Sequence, residues 1–326
     1  MSSRFASQYG KHFFLGNVAN VSRAPMRANS LISPHFRTML KSSLFPLLPK
    51  SFKQSVPRQT IQIKEFHSTG MVKFIRVSNY HYKNNWDTLK RAAIFSGLFI
   101  TGTTLVTPYL FQLPPFNHFA KHPSHLVYGL IGLNVAVFGV WQLPKYWRLL
   151  NRYALLEKNS MYSSWSVIGS AFSHQEFWHL GVNMLALYSF GTSLAGMLGA
   201  SNFTQLYLNS AAIASLASIA YPIIFKIPVT APSLGASGAL FGVFGAFSYL
   251  VPTAKIMLFV FPIPGGAWVA FLGSAVWNAA GCFMRWGSFD YAAHLGGSIA
   301  GVAYGWYFSK KFREARERRM RGAFRF

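Results

Sequence analysis

The sequence predicts an all-α polytopic membrane protein, and three observations carry that reading. Of its 326 residues 52% are hydrophobic and only 12% charged, with a mean hydropathy of +0.26, which is not a soluble composition. Seven apolar stretches approach the ~20 residues that a helix needs to cross a hydrocarbon core about 30 Å thick. None alternates with the two-residue period of a barrel strand, and in lipid only helices or closed barrels satisfy the backbone.

In chain order, residues 1–70 come first. They hold ten Lys and Arg against a single acid, Glu65, and contain no continuous apolar run of the kind a secretory signal needs. Cationic, Ser-rich and acid-poor sequence reads as a mitochondrial transit peptide, with processing expected near residues 67–72 beside KEFHSTG (64–70). A disordered basic tail in the cytosol is the alternative that composition leaves open. A linking segment, 71–91, leads to the seven expected spans: 92–112, 125–143, 177–198, 203–225, 236–251, 266–283 and 291–308. Trp141, Trp147, Trp268 and Trp306 lie near span ends and are expected to act as interfacial anchors. Glycine is frequent in the later spans, which lets helices approach closely. A basic tail, 309–326, closes the chain.

The net charge of +24 is concentrated at the two ends, so the apolar middle offers no basic groove for a phosphate backbone, and nucleic acid is excluded as a partner. Orientation stays open. After residue 70, eleven Lys and Arg fall on the side of the first span's N-terminus and ten on the other. The lone Cys282 excludes an intramolecular disulfide and a cysteine metal cluster.

Polar side chains within spans are costly and mark candidate sites. His179 and Asn183, in FWHLGVNM, share one helix face; Ser237 opens the fifth span in LGASGALFG, after a loop in which Pro228 and Pro232 delay the helix; His294 lies early in the seventh. Taken singly, each is accounted for by helix packing or interhelical hydrogen bonding. Together they supply the nucleophile, base and oxyanion donors of an acyl-transfer site. Gly235, Ala236 and Gly238 on one side, and Gly296, Gly297 and Gly301 on the other, would let spans five and seven bring Ser237 and His294 together.

These motifs, GASG at 235–238, HxxxN at 179–183 and AHLGGSIAG at 293–301, resemble the rhomboid family of intramembrane serine proteases. The resemblance covers residues 125–308 and implies a six-helix rhomboid core. The extra span before it is similar to the family's mitochondrial, presenilins-associated rhomboid-like branch. It implies Ser237 as nucleophile and His294 as general base, with His179, Asn183 and the Ser237 N–H stabilising the oxyanion. His174 takes a structural role in the first loop, and Phe241 stacks on His294 where well-studied bacterial members have Tyr. Asp290, one turn before His294, is not a third catalytic acid but an interfacial or structural residue at a helix N-terminus. The family's Trp-Arg pair appears here as Trp165-Ser166, so the loop's usual Arg contacts are expected to be absent or replaced. Neither cofactor nor metal is implied. A wet cavity lined by His174, Gln175, Glu176, His179 and Asn183 would bring water to the serine. The implied partners are single-pass membrane proteins of the mitochondrial inner membrane, with a dynamin-like GTPase among the candidates.

Rival chemistries lack their parts. HQEFWH at 174–179 is not HExxH, Asp87 and Asp290 do not make an intramembrane aspartyl pair, and residue 239 is Ala where a GxSxG hydrolase needs Gly. Transport lacks a charged midplane and paired broken helices. The alternative of a different class is a catalytically inactive rhomboid-like protein that binds membrane clients.

Overall fold

A computed structural model describes residues 86–228, 231–258, 261–287 and 289–323. The expected transit peptide, its processing region and most of the segment 71–91 lie outside the described residues.

Helix α1, Trp86–Leu110, starts six residues before the expected span. Its first turn carries Asp87, which suits a helix N-terminus, and the polar residues through Arg91 continue the helix. Helix α2, Pro123–Trp141, has proline in its first turn, where the missing N–H costs nothing. The third expected span is two helices, α3 (Phe177–Ala186) and α4 (Thr192–Leu198), joined through a π-helical turn at Leu187–Gly191. Gly199, at φ 79°, ends α4 and starts α5, Ala200–Ile224, in one residue.

Helix α5 forms the centre of the bundle. It is 61% buried over its apolar window, against 11% for α1 and 22% for α7. Its many Ala and Ser side chains allow α1, α6 and α8 to pack on it together. Helix α6, Ser237–Leu250, has 14 residues and is about 21 Å long. A hydrocarbon core about 30 Å thick is longer than that, so α6 reaches at most one membrane face. Helix α7 is Gly266–Phe283, and α8 is Tyr291–Ala323. The 33 residues of α8 outrun the expected span because the basic tail is itself helical, built of good helix formers with a Glu314–Arg318 pair at i, i+4. One departure from all-α structure is a short antiparallel hairpin, β1 (Ile256–Leu258) with β2 (Phe261–Ile263), that connects α6 to α7. Three-residue strands are too short to show a period in the sequence.

By length and composition four of the described helices, α1, α2, α5 and α7, are long and apolar enough to cross a membrane, and α6 is a shorter apolar helix. The protein is an all-α polytopic membrane protein with one helix ahead of a bundle built from six apolar segments, of which one is broken into α3 and α4 and another, α6, is short. That first helix is bound by polar as well as apolar contacts. Thr103 donates to Asn209 Oδ1 (2.6 Å), Asn209 Nδ2 donates to the Tyr304 hydroxyl (2.6 Å), and Gln205 donates to Thr107 Oγ1 (2.7 Å). The main core gathers Val127, Leu187, Leu194, Phe203, Tyr207 and Val243 from α2, the π turn, α4, α5 and α6.

Glycines set the closest approach. A Cβ on Gly297 would overlap the Gly238 carbonyl, and one on Gly301 the Gly242 carbonyl, so α6 and α8 pack backbone to backbone. Gly296 differs from expectation: it faces α5, where a Cβ would come within 2.6 Å of Ala217 Cβ. One residue along a helix turns it by about 100°, enough to exchange α6 for α5. Trp141 is a second correction. It is buried, and its indole N–H donates to Ser173 Oγ at 2.7 Å, so it braces the first loop from within the protein instead of anchoring at the interface.

Candidate active site

Ser237 is the first residue of α6, where the helix N–H groups have no intrahelical acceptor. Two bonds fix the approach to it. The Gly235 N–H donates to Ser170 O (2.9 Å), and the Ala236 N–H donates to His174 Nε2 (3.3 Å). Gly235, at φ +121°, adopts a conformation that an L side chain resists, and a Cβ there would lie 2.6 Å from His179 Cε1. Glycine therefore lets the imidazole of His179 lie directly against the backbone before the serine. Upstream, Leu156 and Ser233 exchange backbone bonds of 2.9 Å in each direction and tie the loop to residues near α5.

His294 stands one turn into α8, 9% exposed. Its Nε2 is 2.9 Å from Ser237 Oγ, and the Phe241 ring stacks on it with centroids 4.4 Å apart and planes 25° from parallel. On its other edge, Nδ1 is 2.7 Å from Asn278 Oδ1 of α7. His179 and Asn183 face the same cavity from α3; one amide N–H of Asn183 is committed to His179 O at 2.7 Å. The cavity is about 1030 Å³ and also reaches Gln175 and Glu176. His174 does not line it. That ring is fully buried behind His179, centroids 4.9 Å apart, and serves as an acceptor for the loop.

Asp290 occupies the N-terminus of α8. Oδ1 accepts the Ala293 N–H (3.1 Å), while Oδ2 accepts from Ser233 (2.6 Å) and Ser218 and pairs with Lys158 Nζ at 2.9 Å. Burial alone would raise its pKa, but the Lys158 ammonium and the two hydroxyls hold it down to about 2. Asp290 thus joins the 154–158 loop, α5 and the 231–236 loop to the start of the helix that carries His294.

Ser237, His294, His179, Asn183, Gly235 and Phe241 are brought together, while Gly238, Gly297 and Gly301 form the α6–α8 contact beneath them. Sequence reasoning missed Asn278 and the Lys158, Ser218 and Ser233 partners of Asp290. Asn278 had a signal, as the single Asn of the apolar run 266–283. At the altered Trp165-Ser166 pair, Ser166 donates to Ser163 O (2.7 Å), and Trp165 meets Phe95 of α1 edge-on at 5.3 Å. The additional helix therefore contributes to holding this loop.

A helical membrane bundle with a hydrogen-bonded serine–histidine pair lining a cavity defines a class, and sequence comparison agrees. The family model for the rhomboid domain matches residues 162–311, and the chain belongs to the rhomboid family. Among its relatives, Rhomboid protein 1, mitochondrial, of Saccharomyces cerevisiae is 54% identical over 288 residues, covering 86% of this chain and 83% of the relative. Presenilin-associated rhomboid-like protein, mitochondrial, of Homo sapiens is 33% identical over 184 residues, 55% of this chain and 47% of that protein. RHOMBOID-like protein 12, mitochondrial, of Arabidopsis thaliana is 29% identical over 170 residues, 47% and 51% respectively.

Proposed function

We propose that the protein is an intramembrane serine endopeptidase that cleaves transmembrane segments of single-pass proteins in the mitochondrial inner membrane. The observation that carries this reading is the 2.9 Å contact between Ser237 Oγ and His294 Nε2 at a cavity large enough for an unwound stretch of peptide. His294 takes the serine proton as Oγ bonds to the scissile carbonyl carbon. The oxyanion meets the Ser237 N–H, His179 and Asn183. The proton then passes to the leaving amine as the C–N bond breaks, and water repeats the sequence on the acyl-enzyme.

A helical substrate hides its carbonyls in its own hydrogen bonds, so cleavage favours segments with glycine or other helix-weakening residues near the bond. The mitochondrial assignment is supported by the mitochondrial relatives and by the basic, acid-poor first 70 residues. A dynamin-like GTPase with a cleavable inner-membrane anchor is a candidate client.

The test is co-expression with a single-span reporter, beside Ser237→Ala and His294→Ala. Both variants are expected to abolish processing to a similar degree, because members of one catalytic unit are not additive. Equal processing by wild type and Ser237→Ala overturns the protease reading in favour of client binding without cleavage.

A further inference from the structure

We infer that Asn278 is a positioning residue that sets the tautomer of His294, so that the working unit is Ser237–His294–Asn278, drawn from three different helices. The kinetic part of this inference rests on the protease reading; the tautomer itself does not.

Asn278 is 2% exposed in a largely apolar helix, where an unpaired amide would be costly. Both ends of the amide have partners. Nδ2 lies 2.8 Å from Ser274 O, one turn back on α7, and Oδ1 lies 2.7 Å from His294 Nδ1. A carbonyl oxygen only accepts, so the end facing Ser274 O must be the NH₂. The end facing His294 is then the oxygen, which also only accepts, so the hydrogen between them belongs to Nδ1. A neutral imidazole carries one such hydrogen, and Nε2 is left with its lone pair toward the Ser237 hydroxyl 2.9 Å away. The opposite tautomer would set two lone pairs against each other at 2.7 Å in a buried place.

An asparagine that merely joined helices could choose any donor; this one takes the nitrogen that decides which way the base points. When Nε2 accepts the serine proton, the Nδ1 hydrogen stays in place, and Oδ1 accepts from the imidazolium more strongly than from the neutral ring. The other ionisable groups acting on His294 are Asp290, at the start of its own helix, and His179 on α3. Neither has a hydrogen bond to Nδ1.

The experiment uses the full chain in lipid nanodiscs, with Asn278→Leu and Asn278→Asp. It has two readouts: the ¹⁵N spectrum of labelled histidine, assigned through His294→Gln, and the pH dependence of Ser237 labelling by a fluorophosphonate. Wild type is expected to show His294 as the Nδ1–H tautomer. Asn278→Leu should lose that preference and slow labelling on the order of 10²-fold or more, since a misdirected base costs up to ~10⁴-fold in serine proteases. Asn278→Asp should keep the tautomer and move the acid limb of the labelling profile to higher pH by about one unit or more, because a carboxylate favours the imidazolium. An unchanged tautomer in Asn278→Leu overturns the inference, as does a labelling rate within about twofold of wild type. Should the Leu variant not fold, Asn278→Asp decides alone, and an unmoved acid limb overturns it. If wild type is labelled no faster than Ser237→Ala, the protease reading fails instead, and the spectrum still decides the tautomer.

Discussion

At the scale of single residues, the site rests on short polar contacts whose loss has separate signatures. His179→Ala or Asn183→Ala removes a proposed oxyanion donor and is expected to lower kcat about 10²- to 10³-fold with little change in unfolding temperature, as steady-state cleavage of a reporter would show. Asp290 acts through stability. Its carboxyl sits at about 2 in the folded protein, below the ordinary carboxylate value, so folding favours the charged form. Its contribution, about 2 kcal/mol, is in place above about pH 4 and is lost as pH falls toward 2. Asp290→Asn is expected to lower the unfolding midpoint at pH 7 while flattening the loss below pH 4, as denaturation across pH would reveal. A flat profile in wild type would remove Asp290 from this role. Ser237, His179, Asn183 and His294 were legible because each polar group stands in an apolar span and in a short motif. Asn278 has no motif around it, and its meaning depends on α7 meeting α8, which local sequence does not encode.

At the scale of elements, α6 and α8 are pressed together through Gly238, Gly242, Gly297 and Gly301. Substituting Gly301→Ala places a methyl on the Gly242 backbone, which cannot move aside as a flexible side chain would. Overpacking of this kind typically costs about 1–3 kcal/mol. The variant is therefore expected to unfold at lower temperature and to react more slowly with a serine-directed probe, because Ser237 and His294 ride on the two separated helices. An unchanged unfolding temperature would show that the contact relaxes freely. Gly238, Gly297 and Gly301 were readable in the sequence and Gly242 was not; of the other glycines expected at this interface, Gly296 faces α5 and Gly235 faces His179, because helix rotation and loop geometry are not encoded in spacing alone. The π-helical turn at Leu187–Gly191 had no visible mark, since an apolar run reads alike whichever carbonyl its N–H groups select. The helical course of the basic tail was missed because charge ends a membrane span without ending a helix.

At the scale of the whole molecule, the extra helix α1 is joined to the rest of the bundle by a chain of polar side chains from Thr103 through Asn209 to Tyr304. Asn209→Leu cuts both links at once. Interhelical bonds in membranes average about 0.6 kcal/mol each, so the bundle should stay folded while α1 loosens, with faster proteolysis of the connection to α2 as the measurable result. Proteolysis at the wild-type rate would mean that the Asn209 links contribute nothing to holding α1, which then rests on apolar packing and the Gln205–Thr107 bond. The order of the apolar helices was legible because bilayer thickness dictates apolar length, although only four of the described helices are long and apolar enough to cross and the expected third and fifth spans are broken or short; the docking of α1 depends instead on polar residues spread over two hundred positions.

Cys282 follows Asn278 by four residues on α7, borders the cavity and is the only cysteine in the chain. The native protein is therefore already suited to thiol spectroscopy. A nitroxide or fluorophore attached there would observe the α7 wall during turnover, without the cysteine removals that usually precede such labelling.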